Sequence, residues 1–163
     1  MNTRTRSAAI IAAVVLLDRL TKIYIRTHVS PWDVIPVIPG FFNIVHTENP
    51  GAAFGVLSES AGQWRAVFLI GVALVVMVFI GTILWRPARM GVNETALLQT
   101  GFALVFGGAL GNVWDRIFRG TVTDFLQFYF GRYEFPSFNA ADTAISIGAG
   151  LLLIDLWKHR GGK

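Results

Sequence analysis

The sequence predicts an all-α membrane protein: four transmembrane helices with a small extracytoplasmic β element between the first and second. Three observations carry this expectation. Hydrophobic residues fill 53% of the 163 positions and charged ones only 15%, with a mean hydropathy of +0.55, too apolar for a water-soluble domain of this length. Four stretches approach the roughly 20 apolar residues needed to cross a hydrocarbon core about 30 Å thick. The basic residues are also distributed unevenly between the segments joining those stretches, and this sets the orientation of a membrane protein.

The spans are expected at about residues 7–25, 66–85, 95–114 and 140–157, with outer segments at about 27–63 and 115–138, in one domain covering 1–163. Ala66 to Leu84 carries no charge and is bracketed by Trp64 and Trp85. Thr95 to Trp114 is also uncharged, and Gly101, Gly107, Gly108 and Gly111 suit it to close helix contact; Gly107 and Gly111 form a small-xxx-small pair. The other two spans are less pure, the first holding Asp18, Arg19 and Lys22 and the fourth Asp142 and Asp155. A signal peptide is the competing reading of Arg4, Arg6 and the run from Ala8 to Leu17. No small-x-small cleavage site follows that run, so an uncleaved anchor is expected.

Four spans place both termini on one side. The N-terminal arm, the link between spans two and three and the C-terminus together hold seven basic and two acidic residues, whereas the remainder holds seven basic and eight acidic. Both termini are therefore expected in the cytoplasm. All five tryptophans, Trp32 included, then fall at or near span ends, as amphipathic indoles do. The stretch from Val34 to Ile44, rich in Val, Ile, Phe and Pro, is expected to form an irregular β element at the outer surface.

Composition narrows the chemistry. The absence of cysteine excludes thiolate nucleophiles, disulfides and Cys-based metal sites. His28, His46 and His159 are scattered and form no metal-binding spacing, so neither a metal nor a cofactor is expected. The pI of about 10.0 reads as membrane topology rather than as a nucleic-acid surface, because the excess charge is only +4 and lies in short clusters.

The expected topology brings polar residues together at the outer ends of spans one, three and four. Asp18 and Lys22 lie on the first, Asn112, Asp115 and Arg116 on the third, and Asn139 and Asp142 at the start of the fourth, with Asp124 in the connection between the last two. Ionisable groups near a bilayer are costly unless paired or facing a polar cavity, so the cluster marks a candidate site. Asp18 and Lys22, spaced i, i+4, also read as a structural ion pair, and Asn139 with Asp142 as a helix cap. Asp124, among Val122, Thr123, Phe125 and Leu126, is in an odd setting for a solvated acid. Two carboxylates in a partly dry pocket can act as base and acid in hydrolysis, but spacing alone leaves any pair among Asp18, Asp115, Asp124 and Asp142 open. A small transporter or a lipid-binding scaffold is the non-enzymatic alternative.

Five blocks narrow the choice: Asp18-Arg19-Leu20-Thr21-Lys22, Asn49 to Gly55, Gly107 to Arg116, Val122-Thr123-Asp124-Phe125, and Phe135 to Asp142. In order and spacing the chain resembles the lipoprotein signal peptidases, membrane aspartyl peptidases that remove the signal peptide from prolipoproteins once the lipobox cysteine carries diacylglycerol. The resemblance implies Asp124 and Asp142 as the catalytic pair. It further implies that Asn49, Asn112, Arg116 and Asn139 line the substrate site, and that Asp18, Lys22, Gly51 and Asp115 support it. It also implies a diacylglyceryl-modified prolipoprotein substrate, contact with membrane lipid, inhibition by the cyclic peptide globomycin at the same cleft, and a location in the bacterial inner membrane; a monomer is expected. Pro50 departs from the small polar residue or glycine of several relatives, which affects the local loop shape.

Overall fold

A computed structural model describes residues 2–51, 62–85 and 95–160, giving the backbone alone for 62–65 and 160. Four helices dominate: α1 (Thr3–His28), α2 (Gly62–Trp85), α3 (Ala96–Arg119) and α4 (Ala140–Arg160). Three of them, α2, α3 and α4, are long and apolar enough to cross a membrane. At 26 residues, α1 reaches about 39 Å, also sufficient in length. Its composition falls short of the other three because Asp18, Arg19, Lys22 and Arg26 interrupt its C-terminal half.

Caps define the helix ends. The Asn2 side chain accepts from Arg4 N at 2.8 Å and opens α1. Thr95 opens α3 by accepting from Leu98 N at 3.0 Å, and the same hydroxyl donates to Asp155 Oδ1 at 2.5 Å. Asp155, an acid inside the expected fourth span, is thus a tether between α3 and α4. At the other end α3 continues to Arg119 and stops on Gly120, whose φ of +79° forms a left-handed cap. The third helix therefore passes the expected boundary at 114, and Asp115 and Arg116 are helical rather than part of an outer connection.

The central helix is α3, packed against the other three. A Cβ on Gly107 would lie 2.9 Å from Val14 Cβ, and one on Gly111 would lie 2.6 Å from Asp18 Oδ2, so the small-xxx-small pair seats α1. Gly101 faces Gly148 and Leu152, and Gly108 faces the carbonyl oxygen of Ala141, seating α4. Gly108→Ala places its methyl against that backbone oxygen, which cannot rotate away. Overpacking of this kind is expected to cost about 1–3 kcal/mol, read as a lowered Tm of the detergent-purified protein.

The β structure differs from expectation. A four-stranded antiparallel sheet in the order β1-β2-β3-β4 draws β1 (Val34–Ile38) and β2 (Phe42–Asn49) from the first outer segment. It draws β3 (Val122–Phe130) and β4 (Tyr133–Glu134) from the second. The β element is thus not confined to the connection between the first two helices. The second segment supplies Val122, Thr123, Phe125, Phe128 and Tyr129, residues that favour strands, and it pairs over most of the length of β2, from Phe42 opposite Phe128 to Asn49 opposite Val122. This pairing brings Asp124 opposite Thr47, and Phe125 packs with Ile25 and Val29 at the end of α1.

The outer sides of the bundle are apolar. Val67, Phe68, Val75, Val78 and Phe79 on α2 and Leu153 and Leu156 on α4 are all more than half exposed, as lipid-facing residues are in a structure without lipid. Trp85, Trp114 and Trp157 are exposed near helix ends, and Trp32 lies in the loop between α1 and β1. The side chain of Trp64 lies outside the described residues, as do Arg86, Arg89, Glu94 and Lys163 of the charge distribution.

Candidate active site

The site forms where the start of α4 meets α1, α3 and the sheet. Asn139 precedes α4 and its side-chain oxygen accepts from Asp142 N at 3.0 Å, while Asp142 Oδ2 accepts from Asn139 N at 3.3 Å. This reciprocal capping box explains why Asn and Asp stand three residues apart. The Asn139 amide also donates to Asp124 Oδ1 at 2.7 Å. One buried asparagine therefore contacts both carboxylates, one on a strand and the other on a helix.

Each aspartate has a second amide partner. Asn49 Nδ2 donates to Asp124 Oδ2 at 3.0 Å, and Asn112 Nδ2 to Asp142 Oδ1 at 2.7 Å. Asn49 is itself oriented because its oxygen accepts from Gly51 N at 2.8 Å. Gly51 has a φ of +95°, a left-handed conformation that favours glycine, and it packs against the end of the Leu69 side chain on α2. The residues that follow in that block, Ala52 to Gly55, lie outside the described residues.

Asp124 is buried. Burial pushes its pKa up, the hydrogen bonds from Asn49 and Asn139 pull it back, and the negative charge of Asp142 pushes it up again, so that it stands at about 6.

Beneath the pair lies a charged layer. Lys22, fully buried, places Nζ 2.9 Å from Asp18 Oδ2, 2.9 Å from Asp115 Oδ2 and 3.0 Å from Asn112 Oδ1. Asp18 Oδ1 accepts from Ala141 N at 3.1 Å and so satisfies a free donor in the first turn of α4. Arg19 Nη1 approaches Asp115 Oδ1 at 2.5 Å, and Arg26 Nη1 lies 3.8 Å from the same oxygen. Arg116 Nη1 donates to Asn112 O at 3.3 Å, while its Nε is buried with no partner among the described residues. Arg116 also lies within electrostatic range of Asp124 and Asp142.

All of the candidate residues thus converge, but at two depths. Asn49, Asn112 and Asn139 touch the carboxylates of Asp124 and Asp142, whereas Asp18, Lys22 and Asp115 form the layer that holds α1, α3 and α4 together. Arg19 and Arg26 belong to that layer and were not singled out from the sequence; their helical spacing with Lys22, at offsets of three and four, is the signal that marks them.

Sequence reading also passed over Glu48. It accepts from Thr121 at 2.6 Å, from Thr123 at 2.9 Å and from His46 at 3.1 Å, with Arg119 at 4.0 Å. Burial pushes its carboxyl up, but these hydrogen bonds and the Arg119 charge hold it below the usual range. Thr123 also accepts from Arg26 Nη1 at 3.1 Å, so the residue beside Asp124 is tied to both β2 and α1.

A bundle with apolar outer sides, crossed at one end by a sheet and holding two carboxylates in a buried amide network, defines a membrane-bound protein with a paired-aspartate centre. The family model described as "Signal peptidase (SPase) II" matches residues 10–158, and the chain belongs to that family. The lipoprotein signal peptidase of Solibacter usitatus is 45% identical over 157 residues, covering 96% of this chain and 93% of the relative. That of Maridesulfovibrio salexigens is 42% identical over 154 residues, covering 94% and 96%. A solved structure described as a bacterial membrane enzyme superposes with a TM-score of 0.84 at 33% identity, covering 98% of this chain and 92% of that one. A second structure so described gives 0.79 at 34% identity, covering 93% and 92%.

Proposed function

We propose that Asp124 and Asp142 are the catalytic dyad of an aspartyl endopeptidase that removes the signal peptide from diacylglyceryl-modified prolipoproteins, cutting on the N-terminal side of the lipid-modified cysteine. The observation that carries the assignment is Asn139, which hydrogen-bonds to both carboxylates and leaves them in different surroundings. Asp142 sits in the first turn of α4, where it accepts from Asn112 Nδ2 and Asn139 N. Asp124 is the carboxyl whose pKa is raised, and it holds the proton.

In this mechanism Asp142 takes a proton from a water that attacks the scissile carbonyl carbon, while Asp124 gives its proton to the carbonyl oxygen. As the tetrahedral intermediate collapses, the C–N bond breaks and the proton on Asp142 passes to the leaving amine. One hydroxyl of the intermediate returns its proton to Asp124, restoring both groups. Arg116, with a buried donor free among the described residues, is placed to hold the substrate backbone. The acyl chains stay in the bilayer, so only the bond to be cut enters the polar cleft.

The whole chain is read as one unit, acting as a monomer, with α1 as a fourth span, both termini in the cytoplasm and the dyad near the outer face of the inner membrane. The basic residues of the termini and of the link before α3 support this orientation.

Purified protein presented with matched diacylglyceryl-modified and unmodified prolipoprotein tests the reading. The expected result is cleavage of the modified form alone, immediately before its cysteine, and its block by globomycin. No cleavage, or equal cleavage of both forms, overturns it.

The pH profile follows from the raised Asp124. The form with Asp124 protonated is depleted as pH rises through about 6, so kcat is expected to fall on the alkaline side of that value, with an apparent pKa belonging to the dyad as a unit. Asn49→Ala removes a hydrogen bond that favours the carboxylate, so its alkaline limb moves to higher pH; kcat measured from pH 5 to 9 checks both.

A further inference from the structure

Two depressions flank the dyad, and they differ in chemistry. One, of about 310 Å³, lies along α4 and is walled by Phe135, Phe138, Thr143 and Ile147, with Asp142 at its edge. The other, of about 340 Å³, opens over the sheet beside Asp124 and is walled by Thr47, Glu48, Asn49, Gln127, Glu134 and Ser137. The substrate is divided in the same way. Its signal segment and acyl chains are apolar, whereas the residues after the cysteine lead into water.

We propose that the depression beside Asp124 binds the residues that follow the lipid-modified cysteine, and that Glu134 makes it prefer basic over acidic side chains there. This inference rests on the dyad assigned above. The depression carries acidic groups and, among the described residues, no lysine or arginine in its walls. The charge of Glu48 is already engaged by Thr121, Thr123, His46 and Arg119. Glu134 is different. It is exposed on β4, paired in register with Tyr129, and is held by neutral donors, Gln127 Nε2 at 2.6 Å and the Tyr129 hydroxyl. No cation among the described residues forms an ion pair with it. It therefore presents a fixed, uncompensated negative charge to whatever occupies the depression. A lysine entering from the substrate gains an ion pair, and a glutamate meets a like charge.

The test uses the full-length protein and three diacylglyceryl-modified prolipoprotein peptides, identical except for Lys, Gln or Glu at the second residue after the cysteine. Wild type is expected to rank them Lys, Gln, Glu by kcat/KM, with about three- to ten-fold between the extremes, the size of a partly exposed charge interaction, and the ranking should flatten at about 1 M salt. Glu134→Gln, which keeps the side chain's size, should bring the Lys and Glu substrates together, and Glu134→Lys should reverse their order, each read as the Lys-to-Glu ratio of kcat/KM within one variant. Equal kcat/KM for Lys and Glu in wild type, or an unchanged ranking in either variant, overturns the proposal. A failure of the dyad assignment shows separately, as retained cleavage in Asp124→Asn.

Discussion

Replacing Asp124 or Asp142 by Asn is expected to abolish cleavage of a lipid-modified prolipoprotein while leaving the protein folded and inserted. Removing one partner of an acid–base pair typically costs about 100- to 10,000-fold in rate, and an amide can neither take the proton of a water nor give one to a carbonyl oxygen. Fold should survive because neither aspartate makes an ion pair among the described residues; their partners are the amides of Asn49, Asn112 and Asn139 and a backbone N–H. An Asn side chain keeps the shape and one oxygen acceptor. A Tm close to wild type together with a rate at background is the expected result. Appreciable turnover in either variant rules out the dyad, and loss of fold in both would assign the pair a structural role instead.

The second large effect is expected at Lys22. Its ammonium is the shared counter-charge of Asp18 and Asp115, and all three side chains are fully buried. Lys22→Met leaves two carboxylates in a dry site, a change that typically costs about 3–5 kcal/mol. Arg19 still approaches Asp115, so Asp18 is the more exposed to this loss, and through it the tether to Ala141 N at the start of α4. Activity should fall as well, because Lys22 donates to Asn112 Oδ1 and so turns the Nδ2 of that amide towards Asp142. Adding Asp18→Asn to Lys22→Met removes the stranded charge and keeps an acceptor for Ala141 N. It should recover part of the Tm but not the rate. A single variant that unfolds at the wild-type temperature would show that the layer contributes no stability.

Sequence by itself determined the apolar helices, because a run of some 20 apolar residues has one low-energy place and its backbone must bond within the segment. It also determined the glycine faces of α3, since small residues at i, i+4 on an apolar helix mark close approach, and the capping box of Asn139 and Asp142, which is a matter of local spacing. The sheet was only half legible. The Val34 to Ile44 stretch carries a strand composition, but beyond its hairpin with β1 the strand β2 pairs with β3, more than 70 residues away, and no local pattern encodes that pairing.

The site divides along the same line. Asp142 with Asn139 is local, whereas Asp124 reaches them only because β3 pairs with β2 and packs Phe125 against the end of α1. Spacing alone could not rank Asp124 and Asp142 above Asp18 and Asp115, since all four lie near the same end of the bundle. Tertiary structure separates them by their partners: Asp18 and Asp115 face the ammonium of Lys22, whereas Asp124 and Asp142 face neutral amides. A carboxylate locked to a buried cation is poorly placed to exchange a proton, and one held by amides retains that freedom. That difference exists only once three helices and a strand have come together.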